Sequence, residues 1–405
     1  MKKGIIAIVV AVVLIGGYVF AQTATRNATV DIIEQYVDRL EAESGHAYDV
    51  ELNWLEQGWR TGKVEMTLRM DFMEEEILYH EVFQLTYGFL RTQIRGIGQL
   101  TVFEDNVNET IFDGKPFVSK GVASMGGLTL EYTVPNIDRN TDGMVLNIPE
   151  TIMQVVATDT SLHYTLHNPG FRLYHESDPG HFSLGEVSVE SHTAWRLEKL
   201  QHSHLEMKLA SLDMDTPDLN FSMSDFLLAT HLMVEDGIAS GSVRYEVGQF
   251  DVPEVGSGNA LLEMEVQGVN YALFEHLQQN PDLIEDEAFV AEFFYDLVHN
   301  NDARLLLNTF EFEAEGIGRA HVHGSFGIND TQLDQDEFMA MIQEDASALI
   351  PYMAVSLTVE ELPLIALMSM MMITTEQLPW LIEMRDGEFY LNGEILDLEN
   401  MGLPE

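Results

Sequence analysis

From Lys63 to Met70 the chain alternates without a break: Val64, Met66, Leu68 and Met70 are apolar, Lys63, Glu65, Thr67 and Arg69 polar. A period of two puts every second side chain on the same side of an extended backbone, so this segment is expected to form a half-buried strand. The preceding "YDVELNWLEQ" alternates as well, and the turn-rich "QGWRTG" between them predicts a hairpin. Further strands are expected in "ILYHEVFQLTYGF", "GQLTVFED", "GGLTLEYTV", "TIMQVVATDTSLHYTLH" and "FRLYHESD", with Gly96, Gly98, Gly126 and Gly127 at turns or bulges. The early body therefore reads as antiparallel sheet.

Later segments mix signals. "HLEMKLASLDMD" sets Leu205, Met207 and Leu209 on one strand face. "SMSDFLLATHLM" reads as a short helix capped by Ser222 or Ser224, and "DEAFVAEFFYDLVHN" as a helix with Phe289, Phe293 and Leu297 in register. Ala260, Leu262, Met264 and Val266 echo Ala320, Val322, Gly324 and Phe326, a strand–helix unit recurring after about 60 residues. The apolar piece Leu364–Ile373 has ten residues, too few to span a bilayer as a helix. Its Leu364, Met368, Met370, Met371 and Met372 are candidates for an apolar interaction surface. At the end, Asp386–Gly387 and Asn392–Gly393 mark turns between short strands.

The N-terminus carries Lys2 and Lys3, then an uncharged run from Gly4 to Ala21 that reaches roughly 27 Å as a helix. An uncleaved single-pass transmembrane helix over 4–21 is the expectation, behind a cytoplasmic stub 1–3. Its competitor is a signal peptide cut after Ala21, which leaves a periplasmic or secreted protein. Residues 22–44 follow as an amphipathic juxtamembrane helix with Val30, Ile33, Val37 and Leu40 on one face.

Against 67 acidic residues stand 20 Lys and Arg, a net charge of −47, with ordinary apolar content. Such a surface repels phosphates, which argues against nucleic acid as a partner, and suits a saline exterior. The absence of cysteine removes disulfides and thiolate chemistry.

Several of these features together resemble the YdgA-like bacterial family of unknown function. They are the basic N-terminus with its apolar run, "YDVELNWLEQGWRTGKVEMTLR" with Gly58–Trp59 at the turn, and the late "GEFYLNGEIL" with Asn392 and Gly393. One element departs: where the family commonly has His-Gly-Pro, His80 is followed by Glu81 and Val82, which marks a divergent member. The resemblance implies anchoring in a Gram-negative inner membrane and a large periplasmic region, with no established reaction.

For chemistry, His202 with His204 and His321 with His323 each share a strand face, and paired imidazoles are candidate transition-metal ligands. An ordinary polar strand face places histidines in the same way, in a chain with 14 of them. Neither a Gly-x-Ser-x-Gly elbow, a phosphate loop nor His-Glu-x-x-His occurs, so no catalytic residue and no cofactor are assigned.

The expected fold is α+β and β-rich: a single N-terminal transmembrane helix, then extended antiparallel sheets decorated with short helices. The body divides into a β-rich part, 45–190, and an α+β part, 191–405. The expected function is a non-enzymatic, membrane-anchored envelope protein acting in self-assembly, scaffolding or interaction with other envelope proteins. Two alternatives stand beside it: a periplasmic lipid-binding or lipid-transfer protein with an apolar β groove, and a metal-assisted hydrolase.

Overall fold

The alternation that begins at Lys63 lies in a strand, and the same pairing logic extends over most of the chain. The computed structural model describes residues 21–37 and, with short breaks, 49–272, 303–328, 352–367 and 377–396, together with residues at 275–276, 289, 295, 338 and 340. They fall into two compact units, one of Met1–Phe171 with Ser188–Glu198, the other of Arg172–Val187 with Lys199–Glu405.

In the first unit, α1 occupies residues 21–37. β1 (Asp49–Gln57) and β2 (Thr61–Phe72) form the expected hairpin, with Leu52 opposite Met66 and Trp54 opposite Val64. β3 (Glu75–Tyr87) and β4 (Arg91–Val102) continue the sheet. The short β5 (Asp105–Asn106) and α2 (Val107–Thr110) lead to β6 (Phe117–Ser124), which returns beside β4. β7 (Gly127–Val134) follows beside β6, and β8 (Ile137–Thr141) pairs with β9 (Met144–Ile148). β10 (Thr151–Ala157) then joins β7, and β11 (Ser161–Asn168) joins β10.

α1 packs on this sheet through Ile33, Tyr36 and Val37, which share a core with Val64, Phe83, Leu85, Leu128, Val155 and Leu162. The upper half of the same helix face is polar yet buried, at Gln22, Thr25 and Thr29. Each has a partner. Gln22 Nε2 donates to the Tyr87 carbonyl at 3.1 Å, and the Thr25 hydroxyl to the Ala21 carbonyl at 2.8 Å. The Thr29 hydroxyl donates to the Thr25 carbonyl at 2.8 Å and lies 2.6 Å from the Thr92 hydroxyl. A hydroxyl has one proton to give, so in the last pair Thr92 is the donor.

The core also holds a carboxyl group. Glu81 faces inward from β3 and is fully buried. It accepts from the Ser119 hydroxyl at 2.5 Å and from the Tyr79 hydroxyl at 3.1 Å. Burial raises its pKa to about 7 against the opposing pull of these two donors. Gly96 and Gly98, expected at turns or bulges, are instead inward positions of β4. A Cβ on Gly96 would meet the Glu81 carboxyl and Ser119 hydroxyl, and one on Gly98 the Tyr79 ring.

β12 (Phe171–His175) and β13 (His181–Leu184) come next, and β14 (Val187–Arg196) pairs with β11. The second unit is then a meander of long strands: β15 (Lys199–Asp215), β16 (Asn220–Glu235), β17 (Ile238–Val252) and β18 (Gly256–Asn270). It continues with β19 (Arg304–Ala314), β20 (Gly318–Ile328), β21 (Met353–Glu361), β22 (Trp380–Arg385), β23 (Glu388–Leu391) and β24 (Glu394–Ile395). From β15 onward each strand lies antiparallel to the next, and β13 flanks β15.

The structure corrects the expected fold class. The described body is β, with α1 and the four-residue α2 as its formed helices beside isolated helical turns, rather than α+β. "SMSDFLLATHLM" is not a helix but the middle of β16. Most of the helix expected around Phe289 lies outside the described residues, as do Phe293 and Leu297.

No helix among the described residues is long and apolar enough to cross a membrane. Residues 4–20 of the expected span, and 38–44 of the juxtamembrane helix, lie outside the described residues. The part of α1 that is described is committed to the sheet. The transmembrane anchor, the inner-membrane placement with a periplasmic body, and the inner membrane as partner are corrected accordingly.

Self-assembly through sheet edges is corrected as well. The meander of the second unit ends on β24, a strand of two residues. In the first, β1 carries Asp49, Glu51 and Glu56 along its length. Short and charged edges offer little ladder to a docking chain.

Candidate apolar binding face

Paired residues in an antiparallel ladder stand on the same side of the sheet. Following the register through the second unit therefore traces each face. Met207 pairs with Leu228, Leu228 with Tyr245, and Tyr245 with Leu262. Leu262 pairs with Phe310, Phe310 with Val322, Val322 with Val359, and Val359 with Trp380. This row crosses eight strands and contains no charged or hydrogen-bonding group except the Tyr245 hydroxyl and the Trp380 ring nitrogen. At about 4.8 Å per strand it is roughly 34 Å long.

A parallel row runs Leu209–Phe226–Val247–Ala260–Phe312–Ala320. On the other flank, Val243, Met264 and Leu307 stand in one line, and Val266, Leu305, Phe326, Val355 and Met384 in the next. The two echoed faces, Ala260–Leu262–Met264–Val266 and Ala320–Val322–Gly324–Phe326, are thus brought onto one side of the sheet, two strands apart.

An apolar sheet face of this size normally lies beneath a second layer. Among the described residues it is closed at one end, where Val359, Trp380 and Leu391 form a buried cluster with Val322, Leu367 and Ile382 beside it. From β15 to β19 the same rows stay partly exposed: Tyr245 is 42% and Phe310 37% accessible, and Met207, Leu228 and Leu262 are intermediate. In the first unit, by contrast, the space beneath α1 between Ile33, Leu52, Phe83 and Leu128 amounts to 10 Å³, less than one water needs.

The opposite face is polar. Arg244 bonds Glu246 at 2.7 Å and approaches Glu263 at 3.5 Å. His321 Nδ1 lies 2.9 Å from Glu360, with Glu311 3.8 Å from its other nitrogen, beside a shallow hollow of 280 Å³ that also involves Arg319 and Glu361. His323 stands next to His321, ring centres 5.9 Å apart. His202 and His204 approach His231, a residue the helix reading of its segment had hidden. Among the described residues no group of three or more His, Asp or Glu side chains stands ready to hold a metal.

Of the expected apolar candidates, Leu364 is 67% exposed, and Met368, Met370, Met371 and Met372 lie outside the described residues. Gly58 and Trp59 sit in the β1–β2 turn. Asn392 and Gly393, both with positive φ (51° and 86°), turn β23 into β24, and the Asn392 side chain accepts from the Leu381 amide at 2.8 Å. Such a pair of left-handed residues is what a two-residue hairpin loop requires.

No curated protein and no solved structure matches the chain. The model of a bacterial protein family of unknown function, DUF945, matches residues 102–313, which run from the end of β4 to β19 and include four of the strands bearing the open part of the apolar face. That match covers just over half of the 405 residues and agrees with the YdgA-like resemblance: the chain belongs to the bacterial DUF945 family.

Proposed function

We propose that this protein binds the hydrocarbon chain of a lipid-like amphiphile along the open rows between β15 and β20. The reading is of a binding or transfer protein, not a catalyst, and it replaces interaction through sheet edges. The observation that carries it is the uninterrupted row from Met207 to Trp380, apolar by register yet partly exposed over most of its length.

Leaving such side chains in water costs about 25 cal/mol per Å² of apolar surface, a penalty an apolar occupant would remove. An extended acyl chain fits a strip about 34 Å long. The −47 charge narrows the class further: anionic head groups are repelled, so neutral or zwitterionic amphiphiles are the favoured ligands.

The test is titration of the full chain with a fluorescent monoacylglycerol. Saturable binding is expected, abolished by Leu262→Asp or Phe310→Asp and kept by Glu263→Gln on the opposite face. No saturable binding, or equal binding by the face variants, refutes the reading.

A further inference from the structure

We propose that the first unit docks on a phospholipid surface through the tips of three adjacent hairpins, those of β1–β2, β3–β4 and β6–β7. The register sets the three turns side by side at one end of the sheet: Thr61 pairs with Thr86, Tyr87 with Thr92, Arg91 with Ser124, and Ser124 with Gly127. Neighbouring tips are two strands, about 10 Å, apart. Each carries a large apolar side chain into solvent: Trp59 is 47%, Phe89 56%, Leu90 50% and Met125 69% accessible. Turn tips ordinarily carry Gly, Asn, Asp or Ser. Leu90 departs furthest from that rule, because it holds a positive φ of 62°, where a bulky side chain is strained. Strain kept at an exposed apolar residue points to a use for that residue.

The charge around the tips sets the class of partner. Of the 405 residues 67 are acidic, yet none occurs in residues 57–63, 87–103 or 119–130, which build the three turns and their flanks. Those stretches hold Arg60, Lys63, Arg91, Arg95 and Lys120 instead. The Arg60 guanidinium lies over the Trp59 ring, 5.2 Å from its centre, and Arg91 directly follows Leu90. An aromatic ring beside a guanidinium suits the boundary of a bilayer, where the ring meets the acyl edge and the cation a phosphate. The arrangement also favours lipid over protein. A stable protein interface requires one continuous packed area of about 800 Å² per partner, whereas fluid lipid closes around each separate tip. The next turn, residues 158–160, is polar and bounds the patch. No spanning helix is involved, and the docking end is independent of the amphiphile rows, which belong to the second unit.

The test follows the emission of Trp59 in the full chain, taken as the difference between wild type and Trp59→Phe, on phosphatidylcholine vesicles. Lipids brominated along the acyl chain are expected to quench most of this emission, and aqueous iodide to lose its access to it. Leu90→Asn relieves the strained φ, since asparagine tolerates that conformation, so this variant keeps its fold. Its partition to the vesicles is expected to fall about tenfold, the scale of one leucine side chain returned to water. Saturable binding of the fluorescent monoacylglycerol in solution is expected to be the same in wild type and Leu90→Asn, which separates docking from amphiphile binding. Trp59 emission that stays open to iodide and insensitive to bromolipid, wild-type partition in Leu90→Asn, or a loss of monoacylglycerol binding in that variant overturns the proposal.

Discussion

The Ser119 hydroxyl donates to the Glu81 carboxyl at 2.5 Å, two strands away across the inward surface of Gly96. This places an ionisable group inside the core that α1 covers, and makes stability there a function of pH. The folded-state pKa of about 7 exceeds the ordinary 4.5 because burial disfavours the charge. Between these values the unfolded chain has released the proton and the folded chain keeps it. Glu81 therefore lowers stability as pH rises from about 4.5 to about 7, by about 3 kcal/mol in total, and adds no slope beyond either limit. Denaturation of wild type and Glu81→Gln across this range is expected to show the variant gaining relative stability with pH. A constant difference contradicts it.

Gly96→Ala is expected to destabilise the first unit by about 1–3 kcal/mol, because the added methyl displaces both Glu81 and Ser119. The denaturation midpoint measures this. In a Ser119→Ala background part of the loss should return, since one of the two clashing groups is gone.

Thr29→Val removes the acceptor of the Thr92 hydroxyl in a buried contact, at an expected cost of about 1–3 kcal/mol. Replacing both residues by Val should cost less than the sum of the single changes, because no hydroxyl is then stranded. A double-mutant cycle by chemical denaturation gives the coupling directly, and strict additivity would mean that α1 does not dock through this pair.

Salt should stabilise the chain. With 67 acidic and 20 basic residues, self-repulsion is strong at low ionic strength and is screened at high. The melting temperature is expected to rise between 10 mM and 1 M NaCl (about a 30 Å and a 3 Å screening length). Binding of an anionic amphiphile should rise with it, while that of a neutral one changes little. A melting temperature independent of salt disproves the first expectation.

The hairpin β1–β2 and most strands of the first unit are legible from alternation alone, since one face meets a closed core. β16 is not, because its apolar positions change parity at Asp225: Phe221 and Met223 precede it, Phe226, Leu228 and Leu232 follow. Asp225 has a positive φ of 54°, facing Gly248 in β17. Phe250 and Val252 follow Val243, Tyr245 and Val247 with the same change, as Leu212 and Met214 follow Leu205, Met207 and Leu209 in β15. A phase change of this kind mimics helical spacing, which is why the segment reads as a helix and His231 goes unnoticed.

The apolar face was only partly readable. Single strands show it, but its extent depends on register across loops that carry no pairing signal. Glu81 had a signal that went unused: Tyr79, Phe83, Leu85 and Tyr87 occupy alternate positions of β3, and an acid among them is directed into the core. The anchor expected over 4–21 rested on hydropathy and two lysines, and no helix among the described residues carries it.

The strand order of the second unit has a consequence for biogenesis. From β15 to β24 every strand meets its sequence neighbour, so each hairpin is complete as soon as its second strand leaves the ribosome. Such a topology grows by local zippering instead of waiting for a distant segment, and the earliest-made rows would be exposed to hydrophobic capture while the Trp380 cluster that closes one end is still unsynthesised.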